Sequence, residues 1–181
     1  RWNHNAINNG TGMIILNGTG TYNTTGTTLM NSAATSSVFS VSTDWSVNGN
    51  YPFVAWCWAE KQGYSKFSYY TGNGNADGPF VYTGFKPAFV MIKVTSAVEN
   101  WTIFDGARKP VNRDDNVASI YASTSGAEYT GASYHNIDIL SNGFKVRLTN
   151  TAVNSSGASY IYMAFAENPF VTSTGVPATA R

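Results

Sequence analysis

The chain has 181 residues, enough for one domain or two small ones packed closely, and 43% of them are hydrophobic, so a core can be buried. Its formal net charge is +1 with Lys and Arg scattered, which leaves no basic stripe to track a phosphate backbone. No apolar run approaches the roughly 20 residues that span a bilayer, so neither nucleic acid nor membrane insertion is expected.

Charged residues make up 12%, about half the usual share of roughly 25%. Polar surface therefore falls to Ser, Thr, Asn and Gly, a composition that favours strands and turns over helices. Residues 1–37 read as an irregular arm carrying the first strands. Met13-Ile14-Ile15-Leu16 is their one apolar run, and Asn17-Gly18 and Asn23-Thr24-Thr25-Gly26 punctuate them as turns. Arg1-Trp2-Asn3-His4 lacks the charged and apolar regions of a signal peptide. The arm is expected to order against a partner.

Val38-Phe39-Ser40-Val41 predicts a short strand, with Asp44-Trp45-Ser46-Val47 and the turn Asn48-Gly49-Asn50 after it. Phe53 to Glu60, Phe-Val-Ala-Trp-Cys-Trp-Ala-Glu, carries large side chains on both faces and predicts a strand buried on both. Trp45, Trp56 and Trp58 are expected in the core with Phe165. Cys57, the one cysteine, is expected as a buried structural thiol. One cysteine and two distant histidines exclude an internal disulfide and a zinc cluster.

Gly63 to Lys93 is dense in aromatics, glycines and Asx residues and reads as the connection between two β-units. Within it Phe80-Val81-Tyr82-Thr83 and Ala88 to Val94 predict strands around a turn at Gly84-Phe85-Lys86-Pro87. Asn100 to Asp105 alternates as a hairpin partner. Gly106 to Asn116 is polar and reads as a surface loop. Val117 to Ala122, Ile137 to Leu140, Phe144 to Leu148 and Tyr160 to Glu167 complete the strands. Asn142-Gly143 is the best hairpin signal, Thr151 to Ala158 a loop, and residues 171–181 an extended tail. About ten short strands at 8–12-residue spacing predict an all-β antiparallel sandwich, jelly-roll-like, over residues 38–170.

Two segments repeat. Val38 to Trp45 matches Ile137 to Phe144 as strand, turn, aromatic. Phe53 to Glu60 matches Tyr160 to Glu167, both ending Ala-Glu, with Val47-Asn48 and Val153-Asn154 ahead of them. The units run from about 38 to 62 and from 79 to 170, and the first lacks several residues between its aromatic and its Val-Asn.

Phe53–Trp58, Gly63–Phe67, Tyr70–Gly74, Asp77–Lys93, Asp105–Arg108, Ser141–Phe144 and Tyr160–Phe170 together resemble a β-rich domain of tailed-phage virion proteins. That family is common in tail fibres and other appendages of marine and environmental phages, and is similar in strand pattern to concanavalin-like (laminin-G-like) sandwiches. The resemblance spans roughly residues 38–170, and residues 1–37 depart from it. It implies a virion structural or host-contact role, an extracellular particle as the location, and no catalytic residue. By analogy with fibres it implies a homotrimer alongside other virion proteins.

Each candidate site has a simpler structural role beside it. Asn73, Asn75 and Asp77 have the alternate-position spacing of a calcium loop, but the twelfth position is Gly84, and an Asx turn is the simpler reading. Asp114 and Asp115 beside Arg113 read as a solvated cluster. Tyr69, Tyr70, Trp101 and Tyr129, with Trp2, could stack on a pyranose beside amide partners; the simpler reading is core or subunit interface. Asp105 and Arg108 read as a local ion pair. Glu60 and Glu167 are repeat-equivalent strand ends that could in principle pair as glycosidase carboxylates. His4 and His135 have no triad context. The expectation is therefore a non-enzymatic, self-assembling virion component with no cofactor. The alternatives are a carbohydrate-binding module or lectin, and a phage polysaccharide depolymerase.

Overall fold

The computed structural model describes residues 1–22, 30–108, 112, 118–130 and 136–168. The expected strands at the start of the chain shrink to short pieces: β1 (Trp2–Asn3) pairs with β2 (Met13–Ile14), and β3 (Met30–Ser32) pairs with β4 (Ser40–Val41). A one-turn helix follows, α1 (Trp45–Asn48).

The body is an antiparallel sandwich. Its strands are β5 (Ser65–Thr71), β6 (Phe80–Tyr82), β7 (Pro87–Val94), β8 (Thr102–Asp105), β9 (Ala118–Tyr121), β10 (Tyr129–Thr130), β11 (Ile137–Leu140), β12 (Gly143–Val146) and β13 (Ser159–Ala166). A second one-turn helix, α2 (Thr151–Asn154), precedes the last strand. One sheet has six strands in the order β10-β9-β8-β7-β13-β5, and the other has three in the order β11-β12-β6. Gly63–Lys93 therefore does not link two units. It supplies β5, β6 and β7 to one sandwich, with β5 at the sheet edge.

Side-chain alternation explains the packing. Tyr160, Tyr162 and Ala164 of β13 face the same cluster as Val90, Ile92 and Val94 of β7 and Tyr70 of β5. Phe144, Val146, Ile137, Ile139 and Val81 close that cluster from the three-stranded sheet. Tyr70 and Tyr160 stack at 5.0 Å, and Phe144 meets Tyr70 and Tyr162 edge-on. The β11–β12 hairpin forms where expected, but its two-residue loop is Ser141-Asn142. Gly143 is already in the strand, and a Cβ there would run into the backbone oxygen of Val81. Close approach to β6, not turn geometry, requires that glycine.

The six-stranded sheet is apolar on its other face as well. Ile161, Met163, Met91 and Trp101 form a second cluster with Phe67, Phe89, Ile103 and Phe165 at its margin. The N-terminal arm covers part of that face instead of waiting for a partner. Ile7 and Ile14 are buried in the cluster, and the Trp101 indole N–H donates to the Ile15 carbonyl at 3.0 Å. Backbone bonds from Tyr22 N–H to Thr95 O and from Glu99 N–H to Thr19 O tie the arm down. Asn3 Nδ2 holds its loop closed through Gly10 O and Gly12 O, at 2.8 and 2.7 Å.

The largest departure from the sequence reading is at residues 51–60. They form no strand, and every one of them is exposed. Trp56 is 73% exposed, Trp45 also 73%, and Trp58 51%. Cys57 is exposed rather than buried. The same eight-residue pattern in β13 is a central strand, paired with β7 on one edge and β5 on the other. Phe53–Glu60 has no such neighbours, and among the described residues no backbone–backbone hydrogen bond reaches it. Burial requires partners that local pattern does not supply.

Candidate functional site

The Asn-rich turn is a structural knot. Asn75 N–H donates to Asn73 Oδ1, and Asp77 N–H to Asn75 Oδ1, both at 2.9 Å. These are Asx turns, in which short amide side chains imitate backbone turns. The Asp77 carboxylate faces Lys145 Nζ at 2.7 Å and Arg147 Nη1 at 3.9 Å, and Lys145 holds its carboxyl below the usual carboxylate range. The Asn73 and Asn75 side-chain oxygens accept from N–H groups and the Asp77 carboxylate faces two cations, the partners of a self-supporting Asx turn. Among the described residues no cluster of three or more His, Cys, Asp or Glu is placed to hold a metal.

Behind the turn sits Asn154, wholly buried at the end of α2. Its Nδ2 reaches Asn73 Oδ1, Asn75 O and Leu148 O at 3.1, 2.7 and 2.9 Å, and its Oδ1 accepts from Asn73 N–H at 2.9 Å. In the sequence Asn154 stands out only as part of the repeat. Leu148 is six residues away, but the partners of Asn154 in the turn lie 79 to 81 residues away, so no local signal points to them.

The aromatic candidates divide. Trp101 is 1% exposed and meets Trp2 edge-on at 5.5 Å. Tyr70 is buried, and its hydroxyl donates to Val153 O at 2.7 Å. Neither ring offers a face to a sugar, so the core reading holds for both. Tyr69 is 61% exposed on the edge strand, and Tyr129 is half-buried. Trp2 stacks on Trp58 at 5.5 Å.

Glu60 and Glu167 each have a lysine of their own. Glu60 pairs with Lys66 at 2.7 Å and Glu167 with Lys86 at 2.8 Å. Arg108 pairs with Asp105 at 3.7 Å, as expected, and with Glu128 at 3.0 Å. His4 Nδ1 accepts from Ala6 N–H at 3.0 Å, and burial lowers its pKa against the opposing pull of Glu60. Arg113, Asp114, Asp115, His135 and the tail 171–181 lie outside the described residues.

Lys93 is the one fully buried cation among the described residues. It lies on β7, and its Nζ donates to Val94 O at 2.8 Å and Ala97 O at 3.1 Å. Burial pushes its pKa down to about 8, against an upward pull from Glu99. Tyr162 is pushed up to about 12, by burial and then by Glu60, and Tyr70 well above the ordinary value by burial and then by Tyr160. The folded state gives up the Lys93 proton before the unfolded state does, so stability should rise from pH ~8 toward ~10. Above pH ~10 unfolded tyrosines ionise while Tyr70 and Tyr162 stay neutral, so stability should fall again. Urea midpoints measured across pH 7 to 11 should show that maximum. Lys93→Met should abolish the rise between 8 and 10; an unchanged rise in the variant would mean another group causes it.

One surface stands apart. Trp45, Tyr51, Phe53, Val54, Trp56 and Trp58 expose large apolar side chains along one stretch of chain, with Val38 and Phe39 upstream. Folded chains seldom expose so many large apolar side chains along one stretch without a use. A signal for it was present in the repeat. The helices α1 and α2 correspond, each capped by a side chain: Asp44 Oδ1 accepts from Ser46 N–H and Asn150 Oδ1 from Ala152 N–H, both at 2.8 Å. Val47-Asn48 and Val153-Asn154 end them alike. Yet α2 is buried on Ala152, Val153 and Asn154, and α1 buries nothing. The first unit repeats the end of the sandwich without the strands that would cover it.

A family model described as a domain of unknown function, DUF7483, matches residues 1–169. No curated protein and no solved structure matches the chain.

Proposed function

We propose that the chain, which belongs to the DUF7483 domain family, is a non-enzymatic β-sandwich module that acts by self-association and surface contact, as a structural or host-contact part of a bacteriophage appendage. One observation carries the reading: the exposed apolar run from Trp45 to Trp58. Five aromatic rings and a valine at the surface cost solvation in an isolated molecule and are relieved by protein–protein burial. The resemblance of Gly63–Lys93 and Tyr160–Phe170 to phage virion domains supplies the setting. A second ligand, a host glycan, would use Tyr69, which is exposed on the edge strand β5 beside polar Ser68 and Thr71.

Native mass measurement tests the reading directly. An assembly of more than one copy at micromolar concentration is the expected result. A monomer across the whole concentration range would overturn it. A glycan array in which Tyr69→Ala removes all signal would favour sugar binding at β5.

A further inference from the structure

The exposed run has the properties of a strand that has lost its sheet. It follows a capped helix as β13 follows its own, one residue sooner, and it carries the same apolar character on both faces. In the sandwich that pattern is paired on two edges and covered on two faces. At Phe53–Cys57 both edges are open and the side chains are exposed, and only the last residues of the run touch the body: Trp58 stacks on Trp2. Lys61 and Ser65 exchange backbone hydrogen bonds, Ser65 Oγ donates to Ala59 O, and Glu60 pairs with Lys66.

We propose that the occupant is a second copy of this chain, which lays its own Phe53–Glu60 antiparallel alongside, about a twofold axis near Cys57. The proposal rests on the self-association reading above and names its partner. Three observations select this occupant. First, the backbone from Phe53 to Trp58 offers unpaired donors and acceptors, which a strand satisfies and a small ligand does not. Secondly, no residue from Tyr51 to Ala59 is charged, so two copies meet without like-charge repulsion, and Ala55, Cys57 and Ala59 leave room between the larger side chains. Thirdly, the area fits. Trp45, Tyr51, Phe53, Trp56 and Trp58, half to three-quarters exposed, offer roughly 600 Å² at about 150–250 Å² per ring. Val54 brings that toward the ~800 Å² per partner of a standard interface.

Cys57 makes the pairing readable, because it lies in the middle of the run and is free. A bismaleimide spanning about 8 Å, the reach of diagonal neighbours on adjacent strands, should join two wild-type chains through Cys57, and Cys57→Ser should abolish the product. Trp56→Lys, which sets lysines of the two copies on diagonal positions of one face, should raise the dimer dissociation constant at least about thirtyfold, the loss expected of one interface hot spot. Trp56 is 73% exposed, so the urea midpoint of the monomer should not move. An assembly of two copies that cross-links and is broken by Trp56→Lys sustains the proposal. An assembly of three, or one indifferent to Trp56→Lys, overturns the twofold pairing while self-association stands. A wild-type monomer overturns both.

Discussion

Asn154→Ala is expected to destabilise the sandwich by about 3 kcal/mol, because it strands several buried polar groups at once. The side chain is wholly buried and links the Asn73–Asp77 turn to the end of α2 and to Leu148. Its two amide hydrogens are shared among three oxygens, and alanine replaces none of those bonds. For a chain of this size the melting temperature should fall by roughly 6–12 °C. Asn154→Asp separates polarity from donation. It keeps an acceptor for Asn73 N–H but turns a carboxylate toward Asn73 Oδ1, Asn75 O and Leu148 O. That carboxyl should be held protonated in the fold, so its folded pKa lies above the unfolded ~3.9. Stability of the Asp variant should then fall as pH rises from about 4 to 7. Thermal melts at pH 4 and pH 7 check this. If Asn154→Ala melts within a degree of wild type, the amide knot is not holding the turn.

That knot also marks where sequence reading stopped. The Asx turns at Asn73 and Asn75 were legible because each bond spans two residues. Asn154 was not, because its partners are far along the chain. Strands β7, β8, β11 and β12 were legible for the same local reason: alternation and short turns specify antiparallel neighbours. The run Phe53–Glu60 shows the converse. Its composition matches β13, whose pairing comes from β5 and β7, and nothing within eight residues reports whether such strands exist. Trp56 and Trp58 therefore read as core residues of a core that the first unit does not possess. The all-β sandwich was readable from pattern, whereas the candidate interaction surface was visible only as a repeat missing its middle.

Phe144→Ala should cost about 3–5 kcal/mol, the range for emptying a buried aromatic site. Phe144 is fully buried on β12, where the three-stranded sheet meets the six-stranded one. Its ring lies edge-on to Tyr70 at 6.1 Å and to Tyr162 at 5.4 Å, so the substitution also removes two aromatic pairs worth about 0.5–1.5 kcal/mol each. Relaxation of the cavity is restricted. The Tyr70 hydroxyl is anchored to Val153 O, and Tyr70 stacks on Tyr160, whose own hydroxyl donates to Thr151 O at 2.7 Å. A site that cannot collapse sits at the upper end of the range. Phe144→Leu keeps most of the volume and should cost about 1–2 kcal/mol. Urea unfolding of the three proteins should therefore rank them wild type, leucine, alanine at an unchanged m-value. If the run near Cys57 joins two copies, Phe144→Ala should leave that association intact wherever the chain remains folded, because the two sites share no residues. An alanine variant as stable as its leucine counterpart would show that the inter-sheet core closes over the gap, and that the tyrosine anchors are looser than their hydrogen bonds imply.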